Sequence, residues 1–258
     1  MTLADTLNAH QPSAPQPVAP GAPMFQTRRN WGAALKALRQ LLNNKEDTGQ
    51  VFEIMAALNG DSTMRNYLRL LHTPGGGRLA FEHVELAPRL MDDAWLDSFA
   101  EGTVGAAYRH FVRSENISAE GLAEVSRQRR GPVEIQHPYA WYGRRTRDSH
   151  DIWHILSGYH RDGLGEACLV AFSYAQTGSL GWLVIALGAA LRARGGGRAP
   201  AIRAIWQGYR RGKAAAWLPA QDYEALLSEP LEAARARLNL TPPTFYDAIP
   251  ADRRDPQK

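Results

Sequence analysis

The sequence lacks the features that mark several protein classes. Among its 258 residues there is one cysteine, Cys168, so no internal disulfide can form and a secreted disulfide scaffold is unsupported. No run reaches the roughly 18 to 20 apolar residues of a membrane-spanning helix. The longest apolar stretch, Leu180 to Leu191, is interrupted by two glycines. Residues 1–24 are rich in Ala and Pro and contain no Lys or Arg, so we expect a disordered tail rather than a signal peptide or a mitochondrial presequence.

Lysine is scarce as well, and nearly all basic residues are arginines. The formal net charge is +4 and the pI is about 9.3. Such a charge can attract nucleic acid, phosphate or an anionic membrane surface. The arginines are spread over many segments, however, which favours a compositional bias. We therefore expect no nucleic-acid partner.

Signals for β-strands are nearly absent, and apolar residues recur at helical spacing instead. Helices are predicted at 118–128, 140–157, 165–177, 179–194 and 200–217, and Pro219 and Pro230 are expected to open two last helices. The prediction is an all-α fold: a single helical domain of about ten helices over 25–246, preceded by the disordered tail at 1–24 and followed by a frayed tail at 247–258.

One segment, His150-Asp151-Ile152-Trp153-His154, carries residues with metal-binding chemistry. On a single helix at about 100° per residue, His154 lies about 40° and Asp151 about 100° from His150. Two imidazoles and a carboxylate on one patch can bind a metal. Gly158 is expected to end this helix in the left-handed conformation. Gly163-Leu164-Gly165-Glu166 follows, and its glycines allow the chain to turn so that Glu166 faces the same patch.

The same residues also have ordinary interpretations. A histidine pair one turn apart can be a surface or core pair, Asp151 can pair with Arg147, and Glu166 can favour its own helix N-terminus. The combination of all four residues favours a metal. Mixed nitrogen and oxygen ligands suit Zn²⁺, Fe²⁺ or Mn²⁺ better than a soft metal. The residue pattern does not choose among the three, and we take Zn²⁺ as the working expectation.

Three further residues near the motif are candidates for substrate binding. Arg145 and Arg147 can hold a carboxylate or phosphate bidentately, with a solvated basic face as the alternative. His160 lies in the loop after the motif helix. Cys168 is expected to be a buried, inert thiol. The aromatic residues around the motif are expected in the core: Tyr139, Trp141, Tyr142 and Trp153.

The motif and its surroundings resemble the coenzyme Q biosynthesis protein 4 family, which acts in ubiquinone synthesis. That family carries His-Asp-x-x-His, then eleven residues, then Glu, and here Ile155 to Gly165 fill that interval. Looser similarity extends over about residues 30–245, including the helix Thr103-Val104-Gly105-Ala106-Ala107-Tyr108. The chain departs from the family at Val170 and Ser173, where a Lys and a Glu are usual, which puts the identity of the substrate in doubt.

The resemblance implies an all-helical, homodimeric protein that lies peripherally on the cytoplasmic face of the inner membrane. It implies binding of a polyprenylated quinone precursor or isoprenoid lipid, beside other quinone-biosynthesis proteins. The implied reaction is oxidative removal of the C1 carboxyl of a hydroxybenzoate-type ring, which leaves a hydroxyl. Helices around 164–193 would then line a groove for the isoprenoid tail, and arginines would face anionic lipid, namely Arg192, Arg194 and Arg198.

Two other functions stay open. The protein can be a non-catalytic, metal-stabilised scaffold that binds lipid for other enzymes, since metal sites with no open coordination position are structural. It can also be a His-Asp type metal phosphohydrolase. Enzymes of that type need a further His and Asp as ligands, for which His110 and Asp222 are available.

Overall fold

The computed structural model of the chain describes residues 28–44, 49–114, 137–192 and 198–254. These residues form fifteen α-helices, two short 3₁₀ helices and no β-strand. The first seven α-helices are α1 Trp31–Asn43, α2 Gly49–Leu58, α3 Ser62–Leu71, α4 Gly76–Glu82, α5 Leu86–Leu90, α6 Asp93–Asp97 and α7 Val104–Ser114. The others are α8 Pro138–Asp148, α9 His150–Ser157, α10 Gly163–Thr177, α11 Leu180–Arg192, α12 Arg198–Ala214, α13 Tyr223–Leu226, α14 Leu231–Arg237 and α15 Thr244–Asp247. The 3₁₀ helices are Leu218–Ala220 and Ala251–Arg253.

The predicted all-α fold is confirmed, although the described residues contain more helices than the roughly ten expected. The excess comes from helices such as α5 and α15, which have only five and four residues. So few residues cannot show a helical period. The predicted helix over 140–157 is two helices, because Ser149 separates α8 from α9. The predicted helix at 118–128 and the predicted tail at 1–24 lie outside the described residues.

The helix α10 forms the centre of the fold. Its sequence is apolar on every side from Ala167 to Phe172, a pattern typical of a buried helix rather than a surface helix. Asp162 caps its start, and Gly178 ends it in the left-handed conformation with φ 64°. The helices α11 and α12 pack against it. Most of the α10 surface is therefore buried within the chain.

Two glycines allow α12 to approach α10 closely. A Cβ added at Gly208 would lie 2.5 Å from the Cys168 carbonyl oxygen, and one at Gly212 would lie 2.6 Å from the Phe172 carbonyl oxygen. Backbone atoms cannot move aside as a flexible side chain can. The distance between these two helices therefore depends on the absence of side chains at both positions.

A second, smaller apolar cluster joins α3, α4 and α8. It is formed by Leu70, Leu79, Ala80, Trp141 and Tyr142. Trp141, Tyr142 and Trp153 are buried, which confirms their predicted place in the core. Tyr139 is only partly buried. This cluster anchors α8, which leads directly into α9.

The long helices are shorter than a bilayer requires. The most apolar of them, α11, has 13 residues, and the longest, α12, has 17. A spanning helix needs about 20 residues. Within the part of the chain that the structure describes, no helix combines the length and the apolar character needed to cross a membrane.

The chain stays packed beyond residue 246, after which we expected it to fray. The Arg254 carbonyl oxygen accepts a hydrogen bond of 3.0 Å from the Leu164 N–H, at the start of α10. The Arg254 guanidinium lies 4.1 Å from the centre of the Tyr246 ring, and Ile249 is buried. These contacts tie residues 247–254 to the central helix, while 255–258 lie outside the described residues.

We expect Gly208→Ala to lower the free energy of unfolding by roughly 1–3 kcal/mol, because overpacking against a backbone carbonyl forces α10 and α12 apart. Gly77→Ala is the matched control. Gly77 also lies in a helix, but a Cβ there would meet nothing within 4 Å. That substitution should be neutral or stabilise by up to about 1 kcal/mol. Urea unfolding measures both, and wild-type stability in Gly208→Ala would contradict the close packing.

Candidate metal centre

The helix α9 carries three of the four predicted ligands. His150 and Asp151 occupy its first turn, and His154 follows one turn later. Ligand atoms of these three side chains all lie within 4.8 Å of one another. Among the described residues they form the one group of His, Cys, Asp or Glu side chains with the spacing of a metal site.

The fourth predicted ligand, Glu166, reaches the same patch from the first turn of α10. Its Oε2 lies 3.7 Å from the Nε2 of His150, and its Oε1 lies 3.4 Å from the Nε2 of His154. One carboxylate therefore faces both imidazoles. The structure thus brings Glu166, which follows the short loop, to the histidines of α9, which precede it together with Asp151.

Glycines shape the loop that returns the chain from α9 to α10. Gly158 ends α9 with φ 76°, in the left-handed conformation that the sequence predicted. A Cβ at Gly165 would lie 2.0 Å from the His160 carbonyl oxygen, so only glycine allows this approach. The Asp162 side chain then accepts a hydrogen bond of 2.8 Å from the Gly165 N–H. These contacts fix where α10 begins and hence where Glu166 points.

A hydrogen bond fixes the tautomer of His154. Its Nδ1 lies 2.8 Å from the Tyr159 carbonyl oxygen, which can only accept, so Nδ1 carries the hydrogen. In the neutral ring the lone pair is then on Nε2, which is buried and makes no hydrogen bond. The residue is 1% exposed. A buried imidazole that donates from one nitrogen to a carbonyl and leaves the other free has the arrangement of a metal ligand.

Aromatic side chains from two other helices flank the histidines. Phe111 of α7 stacks on His154, with ring centres 5.6 Å apart and planes 27° apart. Trp182 of α11 stacks on His150, with centres 6.1 Å apart and planes 7° apart. The two imidazoles are perpendicular to each other at 4.9 Å. Ring stacking at these distances restricts the rotation of both histidines.

Charges around the cluster shift two pKa values in opposite directions. Burial alone lowers the pKa of His154, but the negative charges of Glu166 and Asp151 outweigh it, so the pKa is raised. Burial alone raises the pKa of Glu166, but the charges of His154 and His150 beside it hold the pKa well below its usual range. Without a metal, this carboxylate favours a proton on His154. A cation at the same place would displace that proton.

The donor set fits a divalent cation. Two ligand atoms at 2.0–2.1 Å from a tetrahedral Zn²⁺ are about 3.4 Å apart, and His154 Nε2 and Glu166 Oε1 are separated by 3.4 Å. Asp151 is 6% exposed, and no Lys or Arg of the described residues forms a salt bridge with it. A buried, unpaired carboxylate is costly unless a cation balances it. Two imidazoles and two carboxylates are ligands that suit Zn²⁺, Fe²⁺ or Mn²⁺.

Both arginines that we expected to hold substrate have carboxylate partners within the protein. Arg145 is 3% exposed and donates to both carboxylate oxygens of Glu224, at 3.2 and 2.8 Å. Arg147 pairs with Asp148 at 2.6 Å, and not with Asp151. The bidentate geometry expected for substrate is thus used by Arg145 to join α8 to α13. We correct the substrate-binding assignment of both residues accordingly.

His160 lies at the surface, one residue beyond the carbonyl that holds His154. Its backbone N–H lies 3.3 Å from the hydroxyl oxygen of Tyr246, and its ring centre is 6.2 Å from the centre of the Tyr246 ring. The imidazole does not belong to the group formed by His150, Asp151 and His154. Its predicted part in substrate binding stays a prediction.

The positions at which the sequence departs from the family pattern lie inside the fold. Val170 and Ser173 are both buried in α10, and neither is part of the ligand group. The replacement of the usual Lys and Glu by Val170 and Ser173 therefore affects mainly the packing of the central helix α10. Cys168 is fully buried, and burial raises the pKa of its thiol, which confirms the expected inert thiol.

Sequence reasoning missed the residues that surround the ligands. Tyr159 had a usable signal, because the residue after a left-handed helix cap is placed to meet the last turn of that helix. Phe111 and Trp182 had none, since they lie 43 residues before His154 and 32 residues after His150 in the chain. Tyr108 is buried near Asp151 and Asp148; burial first, and then these negative charges, raises its pKa.

The metal-free and metal-loaded proteins should respond to pH in opposite directions. The raised pKa of His154 stabilises the metal-free protein below pH about 6.5, and this contribution is lost as the pH rises through the folded-state pKa. The low pKa of Glu166 stabilises above pH about 4.3 and is lost only in stronger acid. With chelator, Tm should therefore fall between pH 6 and 9.

With Zn²⁺ at roughly 100 times its Kd, Tm at pH 8 should exceed that of the chelated protein by about 5–10 °C. Metal binding strengthens with pH because His154 must lose its proton. His154→Ala should remove both effects, and differential scanning calorimetry measures them. Identical melting curves with chelator and with Zn²⁺ at pH 8 would contradict a metal site.

Comparisons with known proteins identify the family of this chain. Residues 26–244 match the family model described as "Coenzyme Q (ubiquinone) biosynthesis protein Coq4". The chain is 27% identical over 198 residues to "Ubiquinone biosynthesis protein COQ4 homolog, mitochondrial" of Bos taurus, covering 73% of this chain and 71% of the relative. It is 29% identical over 131 residues to "Ubiquinone biosynthesis protein COQ4, mitochondrial" of Yarrowia lipolytica, covering 48% of this chain and 47% of that protein.

A solved structure shares the fold. The crystal structure of a protein from Nostoc punctiforme superposes with a TM-score of 0.60 at 23% sequence identity, and the match covers 83% of this chain and 99% of the other. At that identity the likeness concerns the fold alone. The family match covers most of the described chain and includes all four side chains of the candidate metal centre. The chain therefore belongs to the Coq4 family of coenzyme Q (ubiquinone) biosynthesis proteins.

Proposed function

We propose that this protein catalyses a metal-dependent oxidative decarboxylation of a polyprenylated hydroxybenzoate-type precursor in ubiquinone biosynthesis. The observation that carries the proposal is the buried Nε2 of His154, which has no hydrogen-bond partner and lies 3.4 Å from a carboxylate oxygen of Glu166. Leaving such an atom unsatisfied costs free energy, and a divalent cation would satisfy it. The family membership connects that site to quinone synthesis.

The reaction replaces the ring carboxyl with a hydroxyl, which is a two-electron oxidation of the ring. With dioxygen as the electron acceptor, precursor acid, O₂ and water give hydroxylated ring, CO₂ and hydrogen peroxide, and both atoms and electrons balance. A bound divalent cation would supply Lewis-acid charge to the carboxylate or phenolate oxygen of the precursor. His150, Asp151, His154 and Glu166 would hold that cation, with Zn²⁺ as our expectation and Fe²⁺ or Mn²⁺ as alternatives.

The aromatic side chains around the ligands suit this task. Phe111 and Trp182 are partly buried and stack on the two imidazoles, so they limit access of water to the ligand atoms. They also offer apolar surface to an aromatic ring that approaches the site. The side of the site that faces solvent is formed by His150 and Glu166, whose side chains are 21% and 38% exposed. A substrate would reach the site from that side.

The direct test uses purified, metal-loaded protein and a synthetic, short-chain prenylated hydroxybenzoate whose carboxyl is isotopically labelled. We expect release of labelled CO₂ together with uptake of O₂ and formation of the hydroxylated ring. His154→Ala and Glu166→Gln should each reduce the rate by about 100-fold or more, which exceeds the 10- to 100-fold cost of losing an outer-sphere partner. Mass spectrometry of product and CO₂ follows the reaction.

His110→Ala provides the control for this experiment. His110 lies on α7 beside Phe111, is exposed and pairs with Glu101 at 3.1 Å. Its loss should leave the rate within about twofold of wild type, as is usual for exposed positions away from a site. Wild-type turnover in a folded His154→Ala variant would remove the metal from the chemistry.

The second candidate function is a metal-stabilised, lipid-binding scaffold for other quinone-biosynthesis proteins. It is favoured by the complete burial of His154, because closed metal sites are structural. It is disfavoured by the partial exposure of His150 and Glu166, which leaves a side from which another ligand can approach. The absorption spectrum of the Co²⁺-loaded protein separates the two. A shift on addition of azide indicates an open coordination position, and no shift indicates the scaffold.

The phosphohydrolase alternative loses support from the placement of its two additional ligands. His110 is exposed and paired with Glu101. Asp222 forms a salt bridge with Arg78 and accepts from the Ala225 N–H as the cap of α13. Both side chains are committed elsewhere. The described residues therefore do not supply the larger ligand set of a His-Asp phosphohydrolase at this centre.

We further propose that the protein makes peripheral contact with a membrane through α11. The groove that we expected over 164–193 is not formed by α10, because that helix is buried almost throughout. The exposed apolar side chains lie on α11 instead, at Leu187 and Leu191, which are 55% and 70% exposed. Arg198 is exposed at the start of α12 and could meet anionic headgroups, whereas the side chains of Arg192 and Arg194 lie outside the described residues.

We also propose the homodimer that the resemblance implies. Trp206 on α12 and Phe245 on α15 are half exposed or more. A hydrogen bond joins these two helices beside the exposed rings, because the Phe245 N–H donates to the side chain of Gln207, the residue after Trp206, at 2.9 Å. This face offers a second copy of the chain an apolar surface of the kind found at the centre of homodimer interfaces.

Membrane contact through α11 predicts a specific loss. Leu187→Glu combined with Leu191→Glu should reduce co-sedimentation with vesicles of phosphatidylcholine and phosphatidylglycerol by about 10-fold or more, since each exposed leucine contributes up to about 1.5–3 kcal/mol when buried. Phe81→Glu is the control, because Phe81 is 88% exposed on α4, which packs on α3. Equal vesicle binding by the double variant and the control would exclude α11 as the contact.

A further inference from the structure

Tyr246 is fully buried although it belongs to the four-residue helix α15 near the end of the described chain. Its hydroxyl lies between two groups of the loop that joins α9 to α10. It donates to the Asp162 carboxylate and accepts from the His160 N–H at 3.3 Å. A residue from the C-terminal segment thus holds the loop between the three proposed ligands of α9 and the fourth, Glu166, on α10.

One branch of these contacts leads to Glu166. The Asp162 side chain accepts from the Gly165 N–H at 2.8 Å, and the Asp162 carbonyl oxygen accepts from the Glu166 N–H at 2.9 Å. Asp162 is therefore both the cap of α10 and the partner of Tyr246. A shift of its carboxylate would rotate the first turn of the helix, in which Glu166 lies.

The other branch leads to His154. The Tyr246 ring packs edge-on against the Tyr159 ring, with centres 5.4 Å apart and planes 84° apart. The Tyr159 carbonyl oxygen is the acceptor for Nδ1 of His154, at 2.8 Å. The Arg254 guanidinium covers the Tyr246 ring at 4.1 Å. Tyr246 therefore contacts both the residue that orients His154 and the residue that orients Glu166.

We propose that Tyr246 is a positioning residue of the metal centre, whose hydroxyl fixes the separation of His154 and Glu166 through Asp162 and the loop. This inference rests on the metal site of the proposed function, but not on the reaction that the site catalyses. It also assigns a role to the C-terminal segment: residues 244–254 pack against the loop and hold the two ligand-bearing helices in a fixed relative position.

The test is the Zn²⁺ affinity of Tyr246→Phe, measured by competition with a chromogenic chelator. This change removes one oxygen atom and keeps the ring, so the packing on Tyr159 is preserved. The variant should bind Zn²⁺ about 10- to 100-fold more weakly than wild type, the usual effect of losing an outer-sphere partner. The Co²⁺-loaded variant should also show an altered visible absorption spectrum, because its ligands are less well held.

Tyr223→Phe is the matched control. Tyr223 is also a buried tyrosine in a four-residue helix, α13, and its hydroxyl also makes two hydrogen bonds. It accepts from Trp153 Nε1 at 2.7 Å and donates to the Leu218 carbonyl oxygen at 2.9 Å. Both variants should therefore lose similar stability in urea with chelator present. Only Tyr246→Phe should lose Zn²⁺ affinity, and Tyr223→Phe should stay within about twofold of wild type.

Asp162→Asn tests the route of the effect, because asparagine still caps a helix but loses the charge. If Tyr246 acts through Asp162, the loss of affinity in the double variant is smaller than the product of the two single losses. A loss of affinity in the double variant equal to the product of the two single losses would overturn this route. Unchanged Zn²⁺ affinity in Tyr246→Phe would overturn the inference without affecting the proposed metal site. A wild-type protein that binds no Zn²⁺, Fe²⁺ or Mn²⁺ would overturn the metal site of the proposed function together with it.

Discussion

The imidazole of His154 is almost completely buried, and one hydrogen bond to the Tyr159 carbonyl decides which of its nitrogens keeps a lone pair. That bond turns Nε2 toward the carboxylate of Glu166 and leaves it without a donor. A buried acceptor of this kind is stable only if a proton or a cation occupies the space in front of it. The rest of the site follows from this constraint, since the carboxylates supply the negative charge that holds either one.

The close approach of α9 and α10 depends on a short loop rather than on helix propensity. Gly158 supplies a positive φ, and Gly165 allows the loop backbone to pass the start of α10 at a distance that no side chain would permit. The loop therefore has little freedom once both helices are packed. Burial of α10 against α11 and α12 then fixes the second helix in the core. The packing of the core therefore also sets the geometry of the candidate metal centre.

Local sequence signals predicted that the candidate ligands lie together, because their spacing follows helix geometry directly. One face of a single helix carries His150, Asp151 and His154, and Gly158 marks the end of that helix. Both features could be predicted from local sequence without knowledge of the tertiary fold. The break at Ser149 escaped prediction because its φ of −81° and ψ of −4° remain close to helical values. The interruption between α8 and α9 contains no proline or glycine that would signal a stop.

Contacts between distant segments could not be predicted in the same way. Phe111 and Trp182 meet the histidines only because α7 and α11 pack beside α9, and no periodicity reports that packing. The partner of Arg145 was equally hidden, since Glu224 lies 79 residues further along the chain. A bidentate arginine beside a metal motif suggested substrate binding, whereas the fold uses it as a brace between helices.

The pairing of these arginines has a consequence for the proposed chemistry. A substrate carboxylate that approaches the centre meets the negative charges of Asp151 and Glu166, and Arg145 and Arg147 are already neutralised by Glu224 and Asp148. The attraction for an anionic substrate must then come from positive charge at the ligand cluster itself. Protonated His154 supplies one unit and a divalent cation supplies two, closer to the opening. In the proposed reaction, metal loading would therefore govern both the chemical step and the affinity for the carboxylate of the precursor.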